Sequence, residues 1–241
     1  MLKKIEGIII SETNYGETSK IINIFTKDGI IGAIAKGAKS IKSPLRSFTM
    51  TFTYAEFNIY YNENKLSTIK SADIINDLSN IKKDITLISY MSFLCDLSTQ
   101  VMKQNNNEDI YNLLISSLLK INNGLNPMVI TNILELKLLD YLGVGISFNS
   151  CAKCGSTHNI VTIDPDIGGY ICQNCYTNEI LYDEKTLKML RMYYLVDINT
   201  ITDLKISDKV IKNINYFVNT YYDRYTGLYL KSKKFFNEMI S

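Results

Sequence analysis

Two cysteine pairs, Cys151-Ala-Lys-Cys154 and Cys172-Gln-Asn-Cys175, with residues 155–171 between them, constrain this chain more than any other feature. A CxxC segment can turn as a knuckle that aims both sulfurs at one point. Two knuckles close a tetrahedron around Zn²⁺ and leave no position for a substrate. Gly155 follows the first pair, where a chain reversal benefits from a residue without Cβ. Between the pairs, 160–163 and 169–171 supply a short hairpin, so a segment of about 148–180 reads as a zinc ribbon. One structural Zn²⁺ per chain is expected on Cys151, Cys154, Cys172 and Cys175. The alternatives are disulfides, redox chemistry and an iron–sulfur cluster; a redox CxxC ordinarily occurs once, within a thioredoxin-like βαβ pattern that is absent here. His158, the single histidine, would be a fifth ligand and is expected at the surface or behind the sulfurs. Cys95, among Phe93, Leu94 and Leu97, is expected as a buried core thiol.

The compartment bears on that reading, because thiols persist as metal ligands where disulfides do not form. The N-terminal apolar run is only Ile8–Ile10, shorter than a signal peptide needs. No uninterrupted apolar stretch reaches the ~18 residues of a membrane span. A cytoplasmic protein that stays off membranes is therefore expected. With 241 residues, 46% hydrophobic and 21% charged, the chain can build one large domain or two modest ones. A net charge of +2 neither demands nor excludes a nucleic-acid partner.

The first third reads as strands: Ile5–Glu12, Ser19–Thr26, Gly29–Ala35, Thr49–Tyr61 and Leu66–Ala72, broken by Asn14-Tyr15-Gly16 and Lys27-Asp28-Gly29. Five strands with no helix among them predict a small closed or nearly closed barrel. From Ile81 the apolar period changes to three or four residues. Helices are expected from Ile81, over Glu108–Ile121, and from Pro127 to Leu142 with Asn126 as cap and Gly143 just past the end. Beyond the cysteines, Glu184–Leu195, Ser207–Tyr222 and Thr226–Met239 complete the set. The boundaries are then 1–78 for the barrel and 79–241 for the helical domain that carries the cysteine insert.

The segment from Lys36 to Arg46 carries Lys36, Lys39, Lys42 and Arg46 and no acid. Its Gly37, Ser40, Ser43 and Pro44 make it a loop. It leads into a strand with Phe52, Tyr54, Phe57, Tyr60 and Tyr61. Cations that follow phosphates beside aromatics that stack bases would suit a single strand lying on an OB-fold. A solvated loop beside aromatics committed to a barrel core would carry the same residues. Gly32–Ser40 resembles a phosphate-binding loop, but Ala38 separates Gly37 from Lys39 and a Pro-containing loop follows where a helix should open. No Ser/His/Asp or Cys/His set suggests a hydrolase, so an enzyme is not expected.

Taken together, these residues resemble the bacterial recombination mediator RecO family. The opening Gly7-Ile-Ile-Ile, Tyr15-Gly16-Glu17, Ile24-Phe25-Thr26, Gly29 and Ala35-Lys36-Gly37-Ala38 matches in order and spacing. Leu142-Gly143 before the four cysteines and Leu230-Lys231-Ser232-Lys233-Lys234-Phe235 match as well. Leu45-Arg46-Ser47-Phe48 stands where the family has Leu-Gln-Pro-Phe. The resemblance implies an α+β multidomain protein, an N-terminal OB-fold barrel followed by an all-α domain with a Cys₄ zinc ribbon. It implies binding of single- and double-stranded DNA, annealing of complementary strands, and help in loading RecA onto DNA coated by single-stranded DNA-binding protein, in the RecF pathway of the nucleoid. RecR and the C-terminal tail of the coating protein would be partners, and RecA an indirect one. Lys36 and Lys39 match DNA-contacting positions; Lys42 and Arg46 extend the set by charge. The alternative is a zinc-ribbon nucleic-acid-binding protein of transcription or RNA metabolism; a zinc-dependent enzyme is disfavoured by the full sulfur shell.

Overall fold

The computed structural model describes residues 1–240. Strands β1 (Leu2–Tyr15), β2 (Ser19–Thr26), β3 (Gly29–Ala35), β4 (Tyr54–Tyr60) and β5 (Ser67–Asn76) close a barrel in the order β1-β2-β3-β5-β4, with β4 returning to β1. Only the β3–β5 pair is parallel. This is the OB-fold arrangement. Closure depends on the length of β1, whose first half pairs with β4 and whose second half pairs with β2 across a register shift between Ile9 and Ser11. Such a bulge bends a strand around a barrel. Gly7 lies just before the bend, where a Cβ would stand 2.6 Å from both the Ile24 side chain and the Phe25 carbonyl oxygen. No larger residue fits there without moving β2.

Alternation along the strands sends Ile22, Ile24, Ala33, Phe57, Ile59 and Ile69 inward, and they form one buried cluster. Each large apolar side chain so buried contributes about 1.5–3 kcal/mol. The β2 and β3 boundaries match the sequence reading, whereas β4 begins at Tyr54 and not at Thr49. Two local features delay it. Leu45–Phe48 forms a short helix, α1, whose Leu45 and Phe48 pack on the barrel core, and Phe52 turns with a φ of 67°.

Among the described residues seven further α-helices follow: α2 (Ser79–Lys82), α3 (Ile85–Gln104), α4 (Glu108–Asn122), α5 (Pro127–Tyr141), α6 (Glu184–Leu195), α7 (Asp208–Tyr225) and α8 (Lys233–Ile240). By contacts the chain falls into two compact units, one of Met1–Ile115 with the segment from Ser232, the other of Ser116–Lys231. In the first, Asp84 caps α3 by accepting from the amides of Thr86 and Leu87. By length and composition α3 could cross a membrane, yet more than half of it is buried inside the protein. In the second, Asn126 caps α5 by accepting from the Val129 amide, and Gly143 ends the run with a φ of 72°. Buried residues occur around the whole of α5, which packs on α6 and α7.

The helix expected over Thr226–Met239 is shorter. The chain leaves α7 through Gly227, at a φ of 58°, and α8 starts only at Lys233. The cysteine insert is a three-stranded sheet in the order β6-β8-β7, from β6 (Ser147–Cys151), β7 (Ile160–Asp164) and β8 (Gly169–Cys172). The hairpin β7–β8 is the one expected from sequence; β6 is additional.

Candidate metal centre and nucleic-acid interface

Cys151 closes β6 and Cys172 closes β8, so the sheet delivers the first sulfur of each pair. The amide of Ala152 donates to the Tyr170 carbonyl at 2.7 Å, tying the first knuckle to β8. That knuckle turns with Gly155 N–H on the Cys151 carbonyl at 2.8 Å, and Gly155 has a φ of 75°. In the second, the amides of Cys175 and Tyr176 both donate to the Cys172 carbonyl at 3.0 Å. The four Sγ atoms lie within 4.8 Å of one another, those of Cys154 and Cys172 being 3.6 Å apart. Burial works against a thiolate at Cys151, but the backbone amides of Cys172, Cys154 and Lys153 overcome it and bring the thiol down to about 6. Cys175 is pushed up to about 12, first by its hydrogen-bonding contact with Cys154 and then by burial, the charge at Cys151 adding least. Four sulfurs this close to one another can together hold a metal ion.

Lys153, inside the first knuckle, was not singled out from sequence. Its ammonium donates to the Cys175 carbonyl at 3.2 Å and to Glu179 at 2.6 Å, strapping one knuckle to the other. Its place between two ligand cysteines was the available signal. His158 is exposed. Cys95 is buried at 3% exposure, and burial pushes its thiol up to about 12.

The basic segment leaves β3 through Gly37, whose φ is 69°. It is held against the β1–β2 turn by the Lys39 amide on the Thr18 carbonyl at 2.8 Å and by the Gly37 amide on Ser19 Oγ at 3.3 Å. Ala38 is buried in the barrel core, which aims its neighbours outward. Lys36, Lys42 and Arg46 are exposed, Arg46 on α1 and not on a loop. Lys39 is half-buried and its ammonium donates to the Gly16 carbonyl at 3.3 Å, so the four cations are not equivalent.

The aromatics divide in the same way. Phe57 is fully buried in the barrel, and Tyr54 is buried and hydrogen-bonded to Glu6. Tyr61 carries the Lys3 ammonium over its ring at 4.0 Å from the centroid. Tyr60 stays open, at 51% exposure. Most of the aromatic run therefore belongs to the structure.

In the second unit, a groove of about 730 Å³ runs between the cysteine sheet and α6. Phe148, Tyr170, Leu187 and Met192 give it apolar walls, Arg191 adds a cation, and Lys188 pairs with Glu184 at 2.5 Å along it.

Comparison with known proteins decides what these features belong to. The family model for the N-terminal part of recombination protein O matches residues 1–78, and that for its C-terminal part matches 82–234. The chain belongs to the RecO family. It is 32% identical to the DNA repair protein RecO of Listeria monocytogenes serotype 4b, over 99% of this chain and 95% of that protein. It is 33% identical to the DNA repair protein RecO of Bacillus cytotoxicus, over 99% of this chain and 98% of that one. Family membership brings a role in DNA repair and recombination and sets aside the transcription reading, to which a ribbon alone would be equally suited.

Proposed function

We propose that this protein is a non-enzymatic recombination mediator. It binds single- and double-stranded DNA, anneals complementary strands and helps load RecA onto DNA coated by single-stranded DNA-binding protein. The observation that carries the reading is the placement of Lys36, Lys42 and Arg46, exposed on the β3–β4 connection of a closed OB barrel in a chain of the RecO family. Such cations neutralise phosphates and displace counterions, which is enough to bring two backbones together. Lys39, tethered to Gly16, shapes the connection and adds charge to it. We take 1–78 as the DNA-binding domain and 79–241 as the helical domain, with partners RecR, the coating protein's C-terminal tail and, through them, RecA. The groove beside α6 suits the tail, because its apolar walls and the Arg191 cation accept an acidic, apolar peptide, with Lys188 already paired to Glu184 at its edge. The working place is the cytoplasm, on the nucleoid.

Zinc is the metal we assign to Cys151, Cys154, Cys172 and Cys175. A Zn–S bond of about 2.3 Å sets tetrahedral sulfurs about 3.8 Å apart, close to the 3.6 Å between Cys154 and Cys172. The ion would pin β6 to β8 and bear no substrate, since four sulfurs complete its shell.

The deciding experiment is annealing of complementary oligonucleotides without ATP or added divalent metal, on naked strands and on strands coated with intact or tail-truncated protein. Annealing in all three cases, fastest among the coated ones with the intact tail, is the expected result. Strict dependence on ATP would overturn the non-enzymatic reading. Equal rates with both coating proteins would remove the tail from the partners and leave annealing in place.

A further inference from the structure

A second cavity, of about 350 Å³, lies in the first unit where the end of β5 meets the segment after α1. Met50, Phe52, Ile74, Ile88 and Met91 wall it, with Thr51, Asn76, Asp77 and Lys82 among them. Two bulky residues take left-handed backbone conformations beside it, Phe52 at a φ of 67° and Leu78 at 50°. Strain of this kind persists where the surroundings over-determine it, and it gathers at ligand clamps. The Asn76 side-chain carbonyl supports the second turn by accepting from the Leu78 amide at 2.9 Å, and Asp77 accepts from Ser79 at 3.0 Å. These turns hold the polar groups at the cavity while Met50 and Ile74 stay 58% and 49% exposed at it.

We propose that this cavity takes one unstacked base of a single-stranded nucleic acid. The proposal rests on the DNA-binding reading and names a site within it. Three features select this occupant. Ser47, which lines the cavity, directly follows Arg46, so a strand whose phosphates lie on the basic segment arrives at the opening. The walls match the faces of a flat ring, and Asp77 with Asn76 matches its edge, because a carboxylate accepts from an exocyclic amine and an amide both donates and accepts. Lys82 supplies a cation for the adjoining phosphate; burial lowers its affinity for the proton and Asp77 partly restores it. An acidic peptide would meet repulsion from Asp77, which is exposed at the cavity. A volume at the lower end of small-ligand pockets, which span ~300–1,000 Å³, suits one base and not a pair.

The test compares an oligocytidylate with an abasic strand of the same length, both binding to the full chain and read by fluorescence anisotropy. Wild-type protein is expected to favour the strand with bases by about tenfold, the effect of seating one base. Ile74→Glu, which places a carboxylate at an exposed strand position of the cavity, should abolish most of that preference, while duplex and abasic-strand binding weaken alike by the common effect of one added charge. Met50→Glu should act alike, which guards against a folding defect in either variant. Equal wild-type binding to both strands, or a preference that survives both variants, overturns the pocket and leaves DNA binding intact. Failure to bind either strand overturns the DNA-binding reading and the pocket with it.

Discussion

Tyr111, on α4, donates its phenolic hydroxyl to a carboxylate oxygen of Glu6, on β1, at 2.9 Å. Tyr54 donates to the same oxygen from β4, and the Tyr111 ring stacks on Phe25 of β2 with centroids 6.1 Å apart. One acid thus joins the barrel seam to a helix that follows it by more than thirty positions in sequence, as β5 ends at Asn76 and Tyr111 lies beyond it. Tyr111→Phe keeps the stack and removes one donor. Urea unfolding should show a loss of about 1–2 kcal/mol, the worth of a single buried hydrogen bond. An unchanged midpoint would mean that Tyr54 alone satisfies Glu6.

Alkaline pH should weaken both units in a defined window. Burial raises the phenols of Tyr54 and Tyr111 well above their ordinary value of 10.0, and it pushes Tyr182 and Tyr221 up to about 12. A folded-state pKa above the unfolded one means that the folded chain holds its protons longer. The associated stability is then fully present below pH 10 and is lost as pH rises through the folded values. Unfolding midpoints measured from pH 8 to 11.5 should stay level on this account up to about 10 and fall beyond it. A fall complete by pH 9 would contradict the assignment.

Metal binding should be coupled to folding of the ribbon. Freshly purified, reduced protein is expected to contain one zinc per chain by elemental analysis. Cys172→Ser should abolish that zinc and lower solubility, because β8 loses its anchor, while amide exchange in the barrel stays slow. Protein with the four thiols reduced and no zinc would refute the assignment.

The cations on the β3–β4 connection should separate by exposure. Replacing Lys36, Lys42 and Arg46 together by alanine should weaken DNA binding about equally for all sequences. The log–log salt slope should shrink by about 2, at ~0.7 for each single-strand phosphate contact. Lys39→Ala should change the slope less, since its ammonium already serves Gly16. Slopes unaltered in the triple variant would move the DNA surface elsewhere.

The C-terminal helix should depend on a residue far upstream. Asp96, on α3, accepts from both the amide and the hydroxyl of Ser232, at 3.0 and 2.9 Å, and so caps the start of α8. Phe236 then stacks on Phe93 at 4.4 Å and meets Tyr90 edge-on. Asp96→Ala should cost about 1 kcal/mol, as loss of a cap does. Phe236→Ala, at a site 2% exposed, should cost about 3–5 kcal/mol. Hydrogen exchange over 233–240 should rise in both, and most in the second.

Local signals were enough for much of this. Ile-rich runs between the turn residues Asn14-Tyr15-Gly16 and Lys27-Asp28-Gly29 delimited β2 and β3, a Pro after Asn126 opened α5, and the CxxC spacing named the four sulfurs, because each depends on residues within a few positions of one another. The basic segment was legible for the same reason. The parts that escaped were set by distant residues. β6 forms because Ser147 and Cys151 pair with Gly169 and Tyr170, and its own sequence lacks a clear period. β4 starts late because α1 spends Leu45 and Phe48 on the barrel, and the split between α7 and α8 at Gly227 is fixed by where Asp96 and Phe93 hold the far end. The aromatic strand read equally well as a stacking platform or as core. Only closure of the barrel, which turned Phe57 inward and gave Tyr54 to Glu6, distributed those side chains, since the sequence carries a side chain's chemistry but not what will stand opposite it.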